Sequence, residues 1–177
     1  MIFAILLCMP KALLIIAQKG YQDLEYAGTR KGLQDASYAI TLASTEAGEC
    51  IGKFGGKEEA TLALRDTDVS LFDVIAFIGG PGAAALADNE DAKSVARDAV
   101  RLGKILGAIC IAPTILARAG VLKGKRATVW DSEGAQAALL ESAGASYTGE
   151  AVTVDGRIVT GNGPAAAEEF GRVLAGL

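Results

Sequence analysis

The sequence predicts an α/β protein: a mostly parallel sheet with helices on both faces and a β-hairpin near the C-terminus. Three observations lead there. Runs such as Ala12 to Ala17 and Asp73 to Ile78 are apolar almost without a break, the pattern of strands buried on both faces. Segments of helical character alternate with such runs along most of the chain. Asp155-Gly156 separates two short apolar segments, a strong hairpin signal.

In order, Ala12 to Ala17 (ALLIIA) is the first strand. Asp23 to Ala36 reads as a helix with a loose apolar face of Leu24, Ala27 and Leu33. Tyr38 to Ala43 is a second strand, and the Gly-rich stretch Glu46 to Lys57 holds a turn or hairpin. Ala60 to Leu64 is a weak strand. Asp73 to Ile78 is a buried strand that ends at Gly79-Gly80-Pro81-Gly82. Asn89 to Leu102 is a helix charged on one face, and Ile105 to Ile109 is a strand that runs directly into Cys110. Ala112 to Ala119 is a helix closed by Gly120. Arg126 to Val129 is a short strand, Ser132 to Ala143 a helix ended by Gly144. Val152 to Val154 and Ile158 to Thr160 form the hairpin, and Pro164 to Leu174 is the last helix.

The 177 residues favour one domain, placed at residues 10–177, with enough chain for a sizeable core. Residues 1–9 read as an N-terminal extension, with an extra strand or a partner-binding tail as the alternative. The apolar run from Ile2 to Met9 is too short to span a bilayer and lacks the basic start of a signal peptide. A net charge of -4 without a basic cluster speaks against nucleic-acid binding. The chain has no histidine, so a Cys-His or Ser-His dyad cannot form within it, and the commonest metal ligand is missing. Three widely spaced cysteines, Cys8, Cys50 and Cys110, give no metal or redox motif and point to a reducing, cytoplasmic setting. No metal and no cofactor are expected, and no membrane partner.

A ligand site in a parallel sheet lies beyond the carboxyl ends of its strands. Cys110 stands there on a strand-to-helix turn, where a helix N-terminus lowers a thiol pKa and free N–H groups bind an oxyanion; a buried core cysteine fits the position about as well. Glu25 lies in the first turn of the first helix. Were strand one to neighbour the Cys110 strand, Glu25 would face the same crevice; the plainer reading is a helix-dipole carboxylate. Gly80 could donate its N–H to an oxyanion, or the glycine run could be only a tight turn. Gly161-Asn162-Gly163-Pro164 could close the pocket with Asn162 as a contact, although a helix-start turn fits better. Trp130 could line the crevice or simply fill core.

Taken together, these segments resemble the ThiJ/PfpI superfamily. The resemblance rests on Ala12 to Ala17, Gly20-Tyr21-Gln22-Asp23-Leu24-Glu25, Asp73 to Gly82, the elbow Ala108-Ile109-Cys110-Ile111-Ala112-Pro113-Thr114, and Asp155 to Pro164. It implies a flavodoxin-like three-layer sandwich, dimeric or larger. It places the nucleophile on Cys110, its acidic partner on Glu25, and N–H donors near Gly80 and Ile111. The chain departs from the family at three points. Peptidase-like members carry histidine where Ile111 stands. The branch with the parkinsonism-associated protein often has histidine near the position of Trp130, and it has arginine where this chain has Asn162. Proteolysis therefore ranks last among family activities. The leading expectation is a cofactor-free, glyoxalase- or deglycase-like hydrolase or lyase, with a small aldehyde or a glycated molecule as substrate. The alternatives are a redox-sensing, stress-response protein oxidised at Cys110, and a catalytically silent member.

Overall fold

The computed structural model describes residues 9–177, so residues 1–8, most of the expected N-terminal extension, lie outside the described residues. The described residues begin with β1 (Lys11–Ile15), β2 (Lys19–Tyr21), α1 (Asp23–Asp35) and β3 (Ala39–Ser44). A hairpin of β4 (Gly48–Gly52) and β5 (Lys57–Ala60) follows, then β6 (Leu62–Ala63), β7 (Val74–Phe77), α2 (Ala83–Leu86) and α3 (Glu90–Arg101). Next come β8 (Ile105–Ile109), α4 (Pro113–Arg118), β9 (Arg126–Ala127), α5 (Ala135–Ser142) and β10 (Ser146–Tyr147). The chain closes with β11 (Val152–Asp155), β12 (Ile158–Gly161) and α6 (Ala167–Gly176).

Seven strands form the main sheet in the order β11-β12-β8-β7-β1-β3-β6. All its neighbours are parallel except β11 and β12, which pair antiparallel as the hairpin. The central strands β1, β7 and β8 are buried throughout, apart from Lys11 at the start of β1. That matches apolar runs which do not alternate. On one face Tyr26 and Leu33 of α1 pack with Phe170 and Leu174 of α6 over Leu14, Ala76 and Ile109. On the other, Val95 of α3, Ile115 of α4 and Leu140 of α5 share a core with Leu13, Ile75 and Leu106. The result is the expected three-layer α/β sandwich.

Helices α1 and α6 approach closely because glycines line the contact. A Cβ on Gly32 would sit 2.5 Å from the carbonyl carbon of Gly171, and one on Gly171 would sit 2.6 Å from the carbonyl oxygen of Thr29. Among the described residues no helix is long and apolar enough to cross a membrane.

Several boundaries differ from the sequence reading, each for a local reason. The weak strand at Ala60 to Leu64 breaks in two, because the Thr61 amide turns to the Leu42 carbonyl. The strand from Arg126 stops at Ala127, and Thr128 donates its N–H to the Thr160 hydroxyl instead. Helix α5 starts three residues late, after Gly134 at φ 84°. The last helix opens with a 3-10 turn at Pro164–Ala166. Short elements β2, α2 and β10 carry too few residues to show a period.

One expectation about order needs correction. Strand β1 does not neighbour β8; β7 lies between them. Glu25 must therefore reach Cys110 across the end of β7.

Candidate active site

Strand β8 delivers Cys110 to the carboxyl end of the sheet with φ of 64°, in the left-handed region. A non-glycine residue held there typically costs about 1–3 kcal/mol, so the surroundings must enforce it. They do so from both sides. The Cys110 N–H donates to the Gly161 carbonyl at 2.8 Å, and the Cys110 carbonyl accepts the Trp130 N–H at 2.8 Å. The elbow is thus clamped between the end of β12 and the segment after β9.

Glu25 comes from α1, whose N-terminus is capped by the Gln22 side chain accepting the Leu24 N–H at 3.2 Å. The helix start is anchored further by Asp23, which accepts the N–H groups of Phe54 and Gly56 at the β4–β5 turn, at 2.9 and 2.8 Å. Glu25 has no exposed surface. Its Oε2 accepts the Gly79 N–H at 3.1 Å, while Oε1 is buried without a hydrogen-bond partner among the described residues.

Burial pushes Glu25 up to about 7; the neighbouring Cys110 thiol, the Gly79 amide and the charge of Lys53 oppose that rise without cancelling it. The Cys110 thiol is pushed up to about 12, first by burial and then by the negative charge and acceptor strength of Glu25. The N–H groups of Gly80 and Ile111 pull the other way. This departs from the sequence expectation of a lowered thiol pKa. Helix α4 has only six residues and begins at Pro113, so burial outweighs it.

The two shifts belong to one pair. Between about pH 7 and about pH 12 the pair holds one proton. When the carboxyl keeps it, the charge that opposes the thiolate is gone, and the sulfur still faces the two amide donors. Protonation of the carboxyl also removes the buried charge that desolvation disfavours.

Gly79 and Gly80 make room for this arrangement. A Cβ on Gly79 would lie 2.5 Å from the Cys110 Cβ and 2.6 Å from Glu25 Oε2. Gly80 has φ of 108°, and its Cβ would lie 2.5 Å from both the Gln22 nitrogen and the Gly20 oxygen.

A cavity of about 330 Å³ opens above the pair. Glu25, Gly80, Cys110, Ile111 and Trp130 all line it, so five of the six residues singled out from sequence come together. Trp130 is 42% exposed, a wall of the pocket rather than core. Asn162 does not line the cavity. Its N–H is bound to the Ala151 carbonyl at 2.9 Å, and Pro164 of the same loop reaches the pocket in its place. Sequence reasoning missed Gln22, Lys53, Pro81 and Ala84 as lining residues. Gln22 carried a signal as the residue before a helix start; Lys53, on a turn, carried none. Among the described residues no group of three or more histidine, cysteine or acidic side chains is placed to hold a metal.

The sequence model of the DJ-1/PfpI family matches residues 10–176. A protein of Methanocaldococcus jannaschii is 33% identical over 162 residues, 91% of this chain and 78% of that protein. A protein of Thermococcus kodakarensis named as a deglycase is 30% identical over 155 residues, 85% of this chain and 89% of the relative. The crystal structure of a ThiJ/PfpI domain protein from Brachyspira murdochii superposes with a TM-score of 0.89 at 29% identity, covering 94% of each chain. The sheet order, the elbow and these matches agree, and the chain belongs to the DJ-1/PfpI family.

Proposed function

We propose that this protein is a cofactor-independent enzyme acting on small reactive carbonyls, with Cys110 as nucleophile and Glu25 as acid and base. The observation that carries this reading is the wholly buried Glu25 carboxyl, its pKa raised to about 7, beside an elbow cysteine at the floor of an open cavity. A group poised near neutrality can both give and take a proton in one cycle. Relatives named deglycases, among them that of Thermococcus kodakarensis, support the same chemistry.

A 2-oxoaldehyde would be converted through a hemithioacetal and a thioester. The Cys110 sulfur adds to the aldehyde carbon, and the carbonyl oxygen becomes an alkoxide facing the Gly80 and Ile111 N–H groups. The proton held by Glu25 passes to that oxygen and leaves a hemithioacetal. The Glu25 carboxylate then takes the proton from the former aldehyde carbon, giving an enediol as the ketone oxygen gains a proton, and returns a proton to the adjacent carbon while the hydroxyl on the sulfur-bearing carbon gives up its proton to become the thioester carbonyl. The product is a 2-hydroxy thioester. Water hydrolyses it, which frees the 2-hydroxy acid and restores the thiol. Overall one water is added, and no external oxidant or reductant is consumed. On a glycated amine the Cys110 sulfur would displace the amine at the carbinol carbon, the C–N bond breaking as the C–S bond forms and the amine leaving with the proton held by Glu25, which gives the same hemithioacetal.

Turnover of methylglyoxal to lactate by the purified protein tests the proposal. Conversion that disappears in Cys110→Ser supports it. An unchanged rate in Cys110→Ser, or no conversion of any member of an aldehyde panel, overturns it.

A further inference from the structure

Cys110, Glu25 and the amide donors account for chemistry at the carbonyl, but not for Lys53. This residue sits at the tip of the β4–β5 hairpin, and among the described residues it is the one cationic side chain lining the cavity. Its backbone is fixed. The Lys53 N–H donates to the Tyr21 carbonyl at 2.8 Å, and the adjacent Gly52 N–H donates to the Gly56 carbonyl at 2.8 Å. Its ammonium lies over the Phe54 ring, 5.3 Å from the centroid.

Among the described residues Lys53 forms no ion pair, and its charge acts on Glu25 only as a secondary influence. Asp23, at the start of α1, is committed to the Phe54 and Gly56 amides of the same turn. The ion pairs of this region run Lys57 to Glu49 and Arg65 to Glu46, and neither includes Lys53. Most of the remaining cavity wall is apolar, with Pro81, Ala84, Trp130 and Pro164. A cation without an ion-pair partner on a largely apolar pocket wall selects for a ligand that brings the missing negative charge.

We propose that Lys53 determines specificity, so that the site prefers electrophiles carrying an anionic group, such as 2-oxoaldehydes with a carboxylate or phosphate on the far side of the ketone. The electrophilic carbon sits at Cys110 and the anion faces Lys53, while the apolar wall holds the chain between them. This rests on the reading of the site as a carbonyl-processing centre, and it narrows the substrate class within it. The alternative role for Lys53 is to balance the negative charge of the Cys110–Glu25 pair. That role would slow every substrate alike, whereas the proposal concerns a ratio.

Two measurements on full-length wild type, Lys53→Met and Lys53→Glu test it. The first needs no turnover: the rate of Cys110 alkylation by iodoacetate, an anion, relative to iodoacetamide, its neutral counterpart. The wild-type ratio should exceed that of Lys53→Met by about fivefold, the scale of one solvent-accessible charge pair. Lys53→Glu should lower it further, and the wild-type excess should shrink as salt is raised. The second is kcat/KM for 4,5-dioxopentanoate against 2-oxopentanal, which has the same chain length without the carboxylate. The same order of ratios is expected, carried mainly by KM. Equal ratios in wild type and both variants overturn the proposal, as does a parallel fall of both reagents in Lys53→Met. If the alkylation ratio follows Lys53 but neither oxoaldehyde turns over, the carbonyl chemistry fails and the anion preference stands.

Discussion

Glu25 and Cys110 meet across the end of β7, a strand to which neither belongs, and Gly79 is the residue that lets them. Its N–H holds the carboxyl, and its missing side chain leaves the space that both partners occupy.

Gly79→Ala should therefore act on the pair without touching either member. The added methyl would fall 2.5 Å from the Cys110 Cβ, so carboxyl and sulfur must part. Displacement of about 1 Å in a catalytic group can cost about 10²-fold in rate, and carbonyl turnover should drop on that scale. Turnover within threefold of wild type would contradict the geometry.

Glu25→Gln and Glu25→Ala separate the two duties of the carboxyl. Gln keeps a donor of similar shape but cannot shuttle a proton. Its turnover should fall by about 10²- to 10⁴-fold, far more than its iodoacetamide reactivity. Wild-type alkylation should rise as pH passes about 7, where the pair loses its first proton. That step should vanish in Glu25→Gln, leaving one titration. Glu25→Ala should lose turnover as well. A wild-type turnover rate in Glu25→Gln would reduce Glu25 to a helix-start carboxylate.

The same carboxyl makes stability depend on pH. Its pKa is about 7 folded against an ordinary 4.5, so the folded state holds the proton more tightly. Its contribution is fully present below about pH 4.5 and is lost as pH rises through about 7. The loss amounts to at most about 3 kcal/mol. Glu25→Gln, neutral at every pH, should melt above wild type at pH 8, and the two should converge below pH 4.5. Parallel melting curves across that range would show that the buried carboxyl is not strained by ionisation.

Gly32→Ala tests how far the site depends on helix packing. The methyl would meet the Gly171 backbone at 2.5 Å and push α1 away from α6. Overpacking of this kind costs about 1–3 kcal/mol. Because Glu25 rides on α1, turnover measured well below the melting temperature should fall as well. A loss of stability with full activity would show that the helix start is held by the Asp23 anchor alone.

Trp130 and Asn162 should behave oppositely. Trp130 forms a cavity wall, so Trp130→Ala should raise KM several-fold with less effect on kcat. Asn162 holds the loop through its backbone, which substitution leaves in place, so Asn162→Ala should stay within about twofold of wild type. Steady-state kinetics on both variants would expose any direct substrate contact by Asn162.

Much of this was legible because burial leaves a plain mark. Strands covered on both faces must be apolar throughout, and β1, β7 and β8 announce themselves in this way. Cys110 was visible because it interrupts such a strand just before Pro113, and Glu25 because it opens the first helix. Strand order was not visible: nothing local says that β7 separates β1 from β8. Lys53 was hidden for a related reason. A lysine on a turn has no period to read, and only pairing of β4 with β2 brings that turn over the cavity. Asn162 misled because a loop that approaches a pocket presents one residue to it, and here Pro164 takes that place.

The cavity draws its lining from Gln22 at one end of the chain to Pro164 near the other. Its walls rest on strands that are parallel, and parallel partners meet only after a long crossover has closed. Such contacts carry their loop-closure entropy early and repay it late, so topology of this kind folds slowly. During refolding, the distinctive reactivity of Cys110 should therefore be among the last native properties to return, after helix content and compaction, which makes this one sulfur a clock for completion of the fold.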